Sequence, residues 1–243
     1  MNTQEETIGE IVAKDYRTAA VFKNHKIDFC CKGNRKLDEV CAEKKINKDS
    51  LLNELKTVSA VKDNSSIDFK SWDPDLLTDY IEKKHHRYVN GNIPVLLQYL
   101  DKLCKVHGAQ HPELFEIHNE FKECAVALTA HMKKEELILF PFIRNLVKAK
   151  VAHQELSVPH FGTVQNPVHM MMEEHDTEGI RFRKIAALSN DYTPPADACG
   201  TYKVTYSLLK EFEDDLHTHI HLENNILFPK AIETESELKE MFV

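Results

Sequence analysis

Hydrophobic residues recur every three or four positions along four long stretches of the chain, and this spacing predicts amphipathic helices. The stretches cover roughly residues 74–103, 112–150, 167–189 and 195–231. Loops rich in proline, glycine and asparagine separate them, and we identify no convincing strand. Four consecutive long helices predict an all-α protein with an up-down four-helix bundle.

The N-terminal part of the chain predicts a smaller helical domain. Thr7 and Glu10 have the spacing of a capping box, and an amphipathic run follows them. A turn with the adjacent cysteines Cys30 and Cys31 interrupts this run, and two more short helices follow. We expect an N-terminal helical domain over residues 1–60, a polar linker over 61–72 and the four-helix bundle over 73–243.

One motif occurs twice, with the pattern His-x-x-x-Glu-x-x-Ile-Leu-Phe-Pro. The first copy begins with His131 and Glu135, and the second with His219 and Glu223. Residues four apart project from the same face of a helix, so each pair presents an imidazole and a carboxylate together. The Phe-Pro is expected to end or kink the helix. The duplication predicts two helices that face each other across a metal site.

The spacing of the repeat places one further histidine on each of the other two helices. Counting back from His219 leads to His175, and counting back a similar distance from His131 leads to His85 and His86. The apolar stripe of the first helix favours His85, whereas the repeat spacing accepts either residue. The pattern therefore predicts four histidine and two glutamate ligands. The other histidines are expected to be structural or exposed: His107, His111, His118, His153, His160 and His169.

The composition of this ligand set indicates which metal it would bind. Nitrogen donors with few carboxylates suit iron better than magnesium or calcium, and zinc remains an alternative. Two glutamates would bridge two ions, leaving coordination positions for an oxo or hydroxo bridge, oxygen or nitric oxide. A closed structural zinc site has no such open positions.

Composition and charge narrow the classes of function. The formal net charge of −8 and the lack of a basic block argue against nucleic-acid binding. No apolar stretch reaches the length of a membrane span, and the acidic N-terminus does not resemble a secretory signal, so the cytoplasm is expected. The six cysteines form no Cys-x-x-Cys pair and are expected to be thiols.

These motifs together resemble the RIC proteins, the di-iron proteins for repair of iron centres. The resemblance covers nearly the whole chain and combines Phe29-Cys30-Cys31 with a hemerythrin-like bundle that carries two His-x-x-x-Glu motifs. It implies two iron ions per chain with bridging carboxylates. It also favours His86 over His85, because the ligand of the family stands eight residues before a proline, here Pro94. The implied metal ligands are His86, His131, Glu135, His175, His219 and Glu223.

The resemblance also implies a function, the repair of iron–sulfur clusters damaged by nitric oxide or oxidants. The protein would supply labile iron to damaged iron–sulfur proteins, or take nitric oxide at the di-iron centre. Thiol chemistry is implied for Cys30 and Cys31, and a homodimer is expected. Many relatives have Cys-Cys-Gly-Gly, whereas this chain has Lys32, whose charge could lower the pKa of a neighbouring thiol.

Two other functions fit the same motifs. The first is a carrier or sensor of oxygen or nitric oxide, as in other hemerythrins, although such a protein needs no N-terminal thiol domain. The second is an enzyme that reduces nitric oxide at the diferrous centre.

Overall fold

The computed structural model of the chain describes residues 6–60 and 67–242, so part of the expected linker, residues 61–66, lies outside the described residues. Within them the protein is helical, and the one extended pairing is an isolated bridge between Thr7 and Lys36. None of the described helices is long and apolar enough to cross a membrane. The all-α prediction is confirmed.

The chain folds into two compact units. The first unit contains Met1–Leu77, Leu146–Ser157 and Thr218–Val243. The second unit contains Thr78–Asn145 and Val158–His217. Each unit is described separately below.

Four short helices begin the first unit, and the predicted capping box starts the first of them. Thr7 accepts a hydrogen bond from the backbone N–H of Glu10, whose carboxylate in turn accepts from the backbone of Thr7. The single amphipathic run that we expected is two helices, because the chain turns at Asp15, which is bound to Arg17. The helices are α1 (Ile8–Lys14), α2 (Thr18–Asn24), α3 (Leu37–Lys44) and α4 (Lys48–Ala60).

The longer helices follow after a 3₁₀ turn at Phe69–Ser71. They are α5 (Pro74–Tyr80), α6 (Arg87–His107), α7 (Glu113–Lys134), α8 (Phe140–Ala152), α9 (Gln165–Leu188), α10 (Gly200–Leu222) and α11 (Phe228–Met241). Helix α6 runs through Pro94 without interruption.

Phe212 of α10 lies at the centre of the four-helix bundle in the second unit. Its ring packs against Tyr88 of α6, Phe121 of α7 and Phe182 of α9, with ring centroids 5.3 to 6.2 Å apart. Phe121, Phe182 and Phe212 are almost fully buried. One aromatic side chain thus joins all four helices, and the predicted bundle is confirmed.

Three π-helical turns interrupt the long helices, at Ile81–His86, Glu135–Leu139 and Glu223–Leu227. In the last two, the N–H of Phe140 or Phe228 donates to the carbonyl five residues earlier, that of Glu135 or Glu223. Proline has no N–H and crowds the carbonyl four residues earlier. A widened turn just before Pro141 and Pro229 lets the chain remain helical. Of the two expected effects of Phe-Pro, an end or a kink of the helix, the first does not occur, because α8 and α11 begin there.

Gly33 is a position in the first unit where no side chain fits. A Cβ there would lie 2.5 Å from Oδ1 of Asn225 and 2.6 Å from the carbonyl oxygen of Phe29. We expect Gly33→Ala to lower the free energy of unfolding by about 1–3 kcal/mol, because the backbone carbonyl cannot move cheaply. Chemical denaturation followed by circular dichroism measures the change.

Gly91 provides the matched control, since a Cβ there would have no atom within 4 Å. It lies inside α6, so Gly91→Ala is expected to stabilise the protein by about 0.5–1 kcal/mol through helix propensity. Equal stability of the Gly33 variant and the unchanged protein would contradict the close approach described here.

Candidate metal centre

Glu135 lies between two histidines in the second unit. Its Oε2 is 3.4 Å from Nε2 of His86 and 3.4 Å from Nε2 of His131. All three residues are buried, and the carboxylate of Glu135 is fully shielded from solvent. A carboxylate oxygen placed between two imidazole nitrogens can contribute to a cation site together with them.

Two further carboxylates orient these imidazoles by hydrogen bonds to the ring nitrogens that do not face Glu135. Nδ1 of His86 lies 3.0 Å from Oε1 of Glu136, and Nδ1 of His131 lies 2.8 Å from Oε2 of Glu174. A metal-binding histidine typically uses its other ring nitrogen in this way, which fixes the tautomer and raises the basicity of the ligand. The Nε2 atoms are thereby directed toward Glu135.

The electrostatics of the two outer carboxylates match this role. The hydrogen bond with His131 and the ion pair with Lys134 lower the pKa of Glu174 to about 2, against the opposite effect of burial. Burial would raise the pKa of Glu136, but hydrogen bonds with Lys133 and His86 outweigh it and the net pKa is lowered. Both carboxylates are therefore anionic at neutral pH.

His175 of α9 completes the group in the second unit. Its Nε2 lies 3.0 Å from Nε2 of His131, and both rings are buried. Two nitrogens bound at right angles to one ion, each at about 2.1 Å, are themselves about 3.0 Å apart. His131, Glu135 and His175 each offer a ligand atom within 4.8 Å of the others.

The first unit holds the second His/Glu pair. Nε2 of His219 lies 3.1 Å from Oε1 of Glu223, and both side chains are buried. His219 lies in the last turn of α10, which ends at Leu222, and the third π turn begins at Glu223. The two copies of the motif thus have the same local structure, with the histidine on an α-helix and the glutamate at the first position of a π turn.

His85 is buried like His86 but has different neighbours. Its Nδ1 lies 2.9 Å from Oδ1 of Asp215, and its ring packs edge-on against Tyr80. The π turn that contains both histidines adds a residue to the helical turn, so both side chains are buried. The apolar stripe, counted with α-helical spacing, favoured His85 because it did not take this turn into account. The structure places His86 beside Glu135.

The donor set fits a redox-active or borderline transition metal. Burial of charged carboxylates and imidazoles is costly unless partners or metal ions compensate them. Mixed imidazole and carboxylate donors suit iron, and a hard-cation site would contain mostly oxygen. The described residues thus hold buried clusters of histidine and glutamate that can bind metal cations.

The loop with Cys30 and Cys31 is attached to the chain next to Glu223. The side-chain amide of Asn224 donates to the carbonyl of Cys30 at 3.2 Å, and that of Asn225 donates to the carbonyls of Phe29 and Cys30 at 3.2 and 3.3 Å. Neither cysteine forms a disulfide, and Cys30 is buried whereas Cys31 is half-buried.

The suggestion that Lys32 lowers the pKa of a neighbouring thiol does not hold for Cys30. Its hydrogen bond with Cys31, its burial and the nearby charge of Asp28 hold the pKa of Cys30 well above the ordinary value. Lys32 is exposed, and its charge does not bring the pKa of Cys30 below the ordinary value. Cys30 is therefore a protonated thiol at neutral pH.

Sequence reasoning overlooked a thiol–imidazole pair at the start of α10. Sγ of the exposed Cys199 lies 3.2 Å from Nε2 of His107. The neighbouring His111 binds Asp197 at 3.1 Å, and His153, His160 and His169 are exposed. The position of Cys199 immediately before the start of a helix could have indicated a reactive thiol, because thiolates are stabilised at helix N-termini.

The pairing of Cys199 with His107 can be tested by measuring how fast Cys199 is alkylated at different pH values. The backbone N–H of Tyr202 and the imidazole of His107 lower the pKa of Cys199 to about 7. We expect its reaction with iodoacetamide to rise between about pH 6 and pH 8, because the thiolate is the nucleophile. Mass spectrometry of the folded protein measures the rate.

Cys104 is the internal control, because burial raises the pKa of its thiol. Replacing His107 with alanine should move the Cys199 profile to higher pH. A profile of the unchanged protein centred near the ordinary thiol value, about 8.5, would contradict the pairing.

Comparison with protein families divides the chain into two matched regions. Residues 4–59 match a domain of unknown function, DUF542, and residues 78–231 match the hemerythrin HHE cation binding domain. The second match covers the predicted ligands His86, His131, Glu135, His175, His219 and Glu223.

Curated relatives match over almost the entire chain. The iron–sulfur cluster repair protein ScdA of Staphylococcus epidermidis is 31% identical over 232 residues, which cover 95% of this chain and 100% of the relative. A probable iron–sulfur cluster repair protein of Haemophilus influenzae is 30% identical over 96% of this chain and 99% of its own length. The iron–sulfur cluster repair protein YtfE of Dickeya chrysanthemi is 30% identical over 97% of this chain and 100% of its own.

Proposed function

This chain belongs to the family of iron–sulfur cluster repair proteins with a hemerythrin HHE cation binding domain, and we propose that it restores clusters damaged by nitric oxide or oxidants. Its partners are damaged iron–sulfur proteins, and nitric oxide or oxygen are its small ligands. The proposal places this activity in the cytoplasm.

The proposal assigns two iron ions per chain to one centre with six ligands. The support is the duplicated motif, the burial of every member and the contacts of Glu135 with two imidazoles. Glu135 and Glu223 would be the carboxylate ligands shared by the two ions. The four terminal ligands are the histidines His86, His131, His175 and His219.

Bound iron would supply a redox-active centre with exchangeable positions for nitric oxide, oxygen or an oxo or hydroxo bridge. The protein contributes the ligand geometry. Glu136 and Glu174 hold the imidazoles of His86 and His131 in one orientation, and burial keeps bulk water from the ligand atoms. Each bridging glutamate begins a π turn, a local irregularity that often occurs at functional sites.

Iron donation is the mode of repair that these features support best. Six protein ligands shared by two ions do not saturate their coordination. Such a centre can therefore release iron more readily than a closed site. We propose that Cys30 and Cys31 act in the same process by thiol contact with the client. A homodimer is also proposed, and light scattering measures its mass.

The test uses a [4Fe–4S] enzyme that nitric oxide has inactivated. The full-length protein is loaded with iron-57 and incubated with this enzyme and a reductant, and the proteins are then separated. We expect the enzyme to regain activity and to contain iron-57 in its cluster. The Glu135→Leu variant, treated in the same way, should give neither result.

Two other outcomes would overturn iron donation. If the iron-57 stays on the protein and the enzyme remains inactive, the protein is a carrier or sensor. If the protein converts nitric oxide into nitrous oxide over many turnovers with the reductant, without transfer of iron, it is a nitric oxide reductase.

A further inference from the structure

Asp28, Cys30 and Cys31 form a compact group in the loop between α2 and α3 of the first unit. Sγ of Cys30 lies 3.7 Å from Sγ of Cys31 and 3.5 Å from Oδ1 of Asp28. Each residue offers a ligand atom within 4.8 Å of the others. The group contains two thiols and one carboxylate and is separate from the histidine and glutamate ligands described above.

These distances match the edges of a metal coordination tetrahedron. With metal–sulfur bonds of about 2.3 Å and metal–oxygen bonds of about 2.1 Å, two sulfurs lie about 3.8 Å apart and a sulfur and an oxygen about 3.6 Å apart. The two distances within the loop agree with these values to about 0.1 Å. The loop therefore needs little rearrangement to place all three ligands around one ion.

The loop is held in this conformation by hydrogen bonds. Oδ1 of Asp28 accepts from the backbone N–H of Cys31 at 3.0 Å. The amides of Asn224 and Asn225 bind the carbonyls on either side of the first thiol. Because the backbone is fixed before an ion arrives, little conformational entropy is lost on binding.

The burial of the group differs from one side to the other. Cys30 is 3% exposed, whereas Asp28 and Cys31 are half-buried, so an ion can enter from the side of the latter two. A divalent cation bound here would replace the thiol protons and compensate the negative charge of the carboxylate.

We propose that Asp28, Cys30 and Cys31 bind one thiophilic divalent ion of the iron(II) or zinc(II) class. The two thiols lose their protons to solvent, and the two thiolates and the carboxylate occupy three positions of a tetrahedron. The fourth position is filled from outside the group, by water or by a ligand of another molecule. If the proposed iron donation is correct, this site holds iron in transit, and that further role rests on the proposed function.

Cobalt(II) distinguishes this site from the histidine and glutamate centre. Cobalt bound to thiolate gives an intense ultraviolet charge-transfer band, whereas nitrogen and oxygen ligands do not. We expect the full-length protein, reduced and kept anaerobic, to develop this band with one cobalt equivalent. Two protons should be released per ion, as measured in a weakly buffered solution with a pH indicator.

Variants assign the band to these three residues. The double variant Cys30→Ser/Cys31→Ser should lack it, and Cys41→Ser, which removes another buried thiol of the same unit, should keep it. Asp28→Asn keeps an oxygen acceptor for the N–H of Cys31 but loses the charge. It should weaken cobalt binding at least about tenfold.

The proposal is overturned if the unchanged protein shows no thiolate band, or if the band persists in the double variant. Circular dichroism shows whether each variant is folded, and Asp28→Asn decides the question if the double variant is not. If the protein shows the thiolate band but repairs no cluster, the cysteine site is supported and the proposed function is contradicted. If the protein repairs clusters but shows no thiolate band, the proposed function is supported and the cysteine site is contradicted.

Discussion

Replacing Glu135 or Glu223 with leucine is expected to lower the iron content below two ions per chain and to abolish the visible absorption of a bridged centre. Oε2 of Glu135 lies 3.4 Å from the Nε2 atoms of both His86 and His131, so its loss removes a ligand next to both imidazoles. Glu223 stands in the equivalent position of the second motif, 3.1 Å from His219. Metal analysis and visible spectroscopy measure the effect.

The control for these variants is Glu116→Leu. Glu116 lies on the exposed face of α7 and pairs with Lys184, so the same change removes a carboxylate without touching the buried cluster. Its iron content and spectrum should equal those of the unchanged protein. The ligand assignment fails if both Glu135→Leu and Glu223→Leu retain the full iron content.

Replacing His86 with alanine and replacing His85 with alanine should have different effects on iron content. His86→Ala is expected to lower iron content, because its Nε2 lies beside Glu135 and its Nδ1 is held by Glu136. His85→Ala is expected to keep the iron. It should lower the free energy of unfolding by about 1–3 kcal/mol, because it removes a buried partner of Asp215.

Each variant serves as the control for the other, since the two side chains are adjacent and equally buried. Iron content is measured on folded protein, and stability by denaturation. Iron loss in His85→Ala with full iron in His86→Ala would show that the apolar stripe had indicated the correct ligand.

Helical periodicity alone predicted the four-helix bundle of the second unit. The rows of apolar residues that include Phe121, Phe182 and Phe212 have the spacing of buried helix faces, and these rings do meet in the core. The duplicated His/Glu pairs were also visible, because an i, i+4 spacing survives on any α-helix. Local patterns of this kind can be recognised in the sequence without information about tertiary contacts.

The π turns could not be predicted from the same periodicity. A π turn changes the angular position of every later residue, and an apolar stripe counted with α-helical spacing therefore favoured His85 over His86. The outer carboxylates Glu136 and Glu174 were missed for a different reason. They bind histidines that are 50 and 43 residues away in the sequence, so only tertiary structure brings them together.

The cysteine loop shows the same limit. The sequence indicated Cys30 and Cys31 but could not show that Asn224 and Asn225 donate to the carbonyls of Phe29 and Cys30 across 194 to 196 positions of the chain. It also gave no sign that Asp28 lies beside both thiols. The charge of Lys32 suggested a lowered thiol pKa, whereas burial and Cys31 raise that of Cys30.

The central claim is that the buried histidines and glutamates form a single centre with two iron ions. The most direct measurement is metal analysis of the anaerobically purified protein, combined with Mössbauer spectroscopy after growth on iron-57. We predict two iron ions per chain that are coupled to each other and have no sulfur ligand, and an ion bound by Cys30 and Cys31 would add a separate, uncoupled signal. One uncoupled iron per chain, or zinc in place of iron, would contradict the claim.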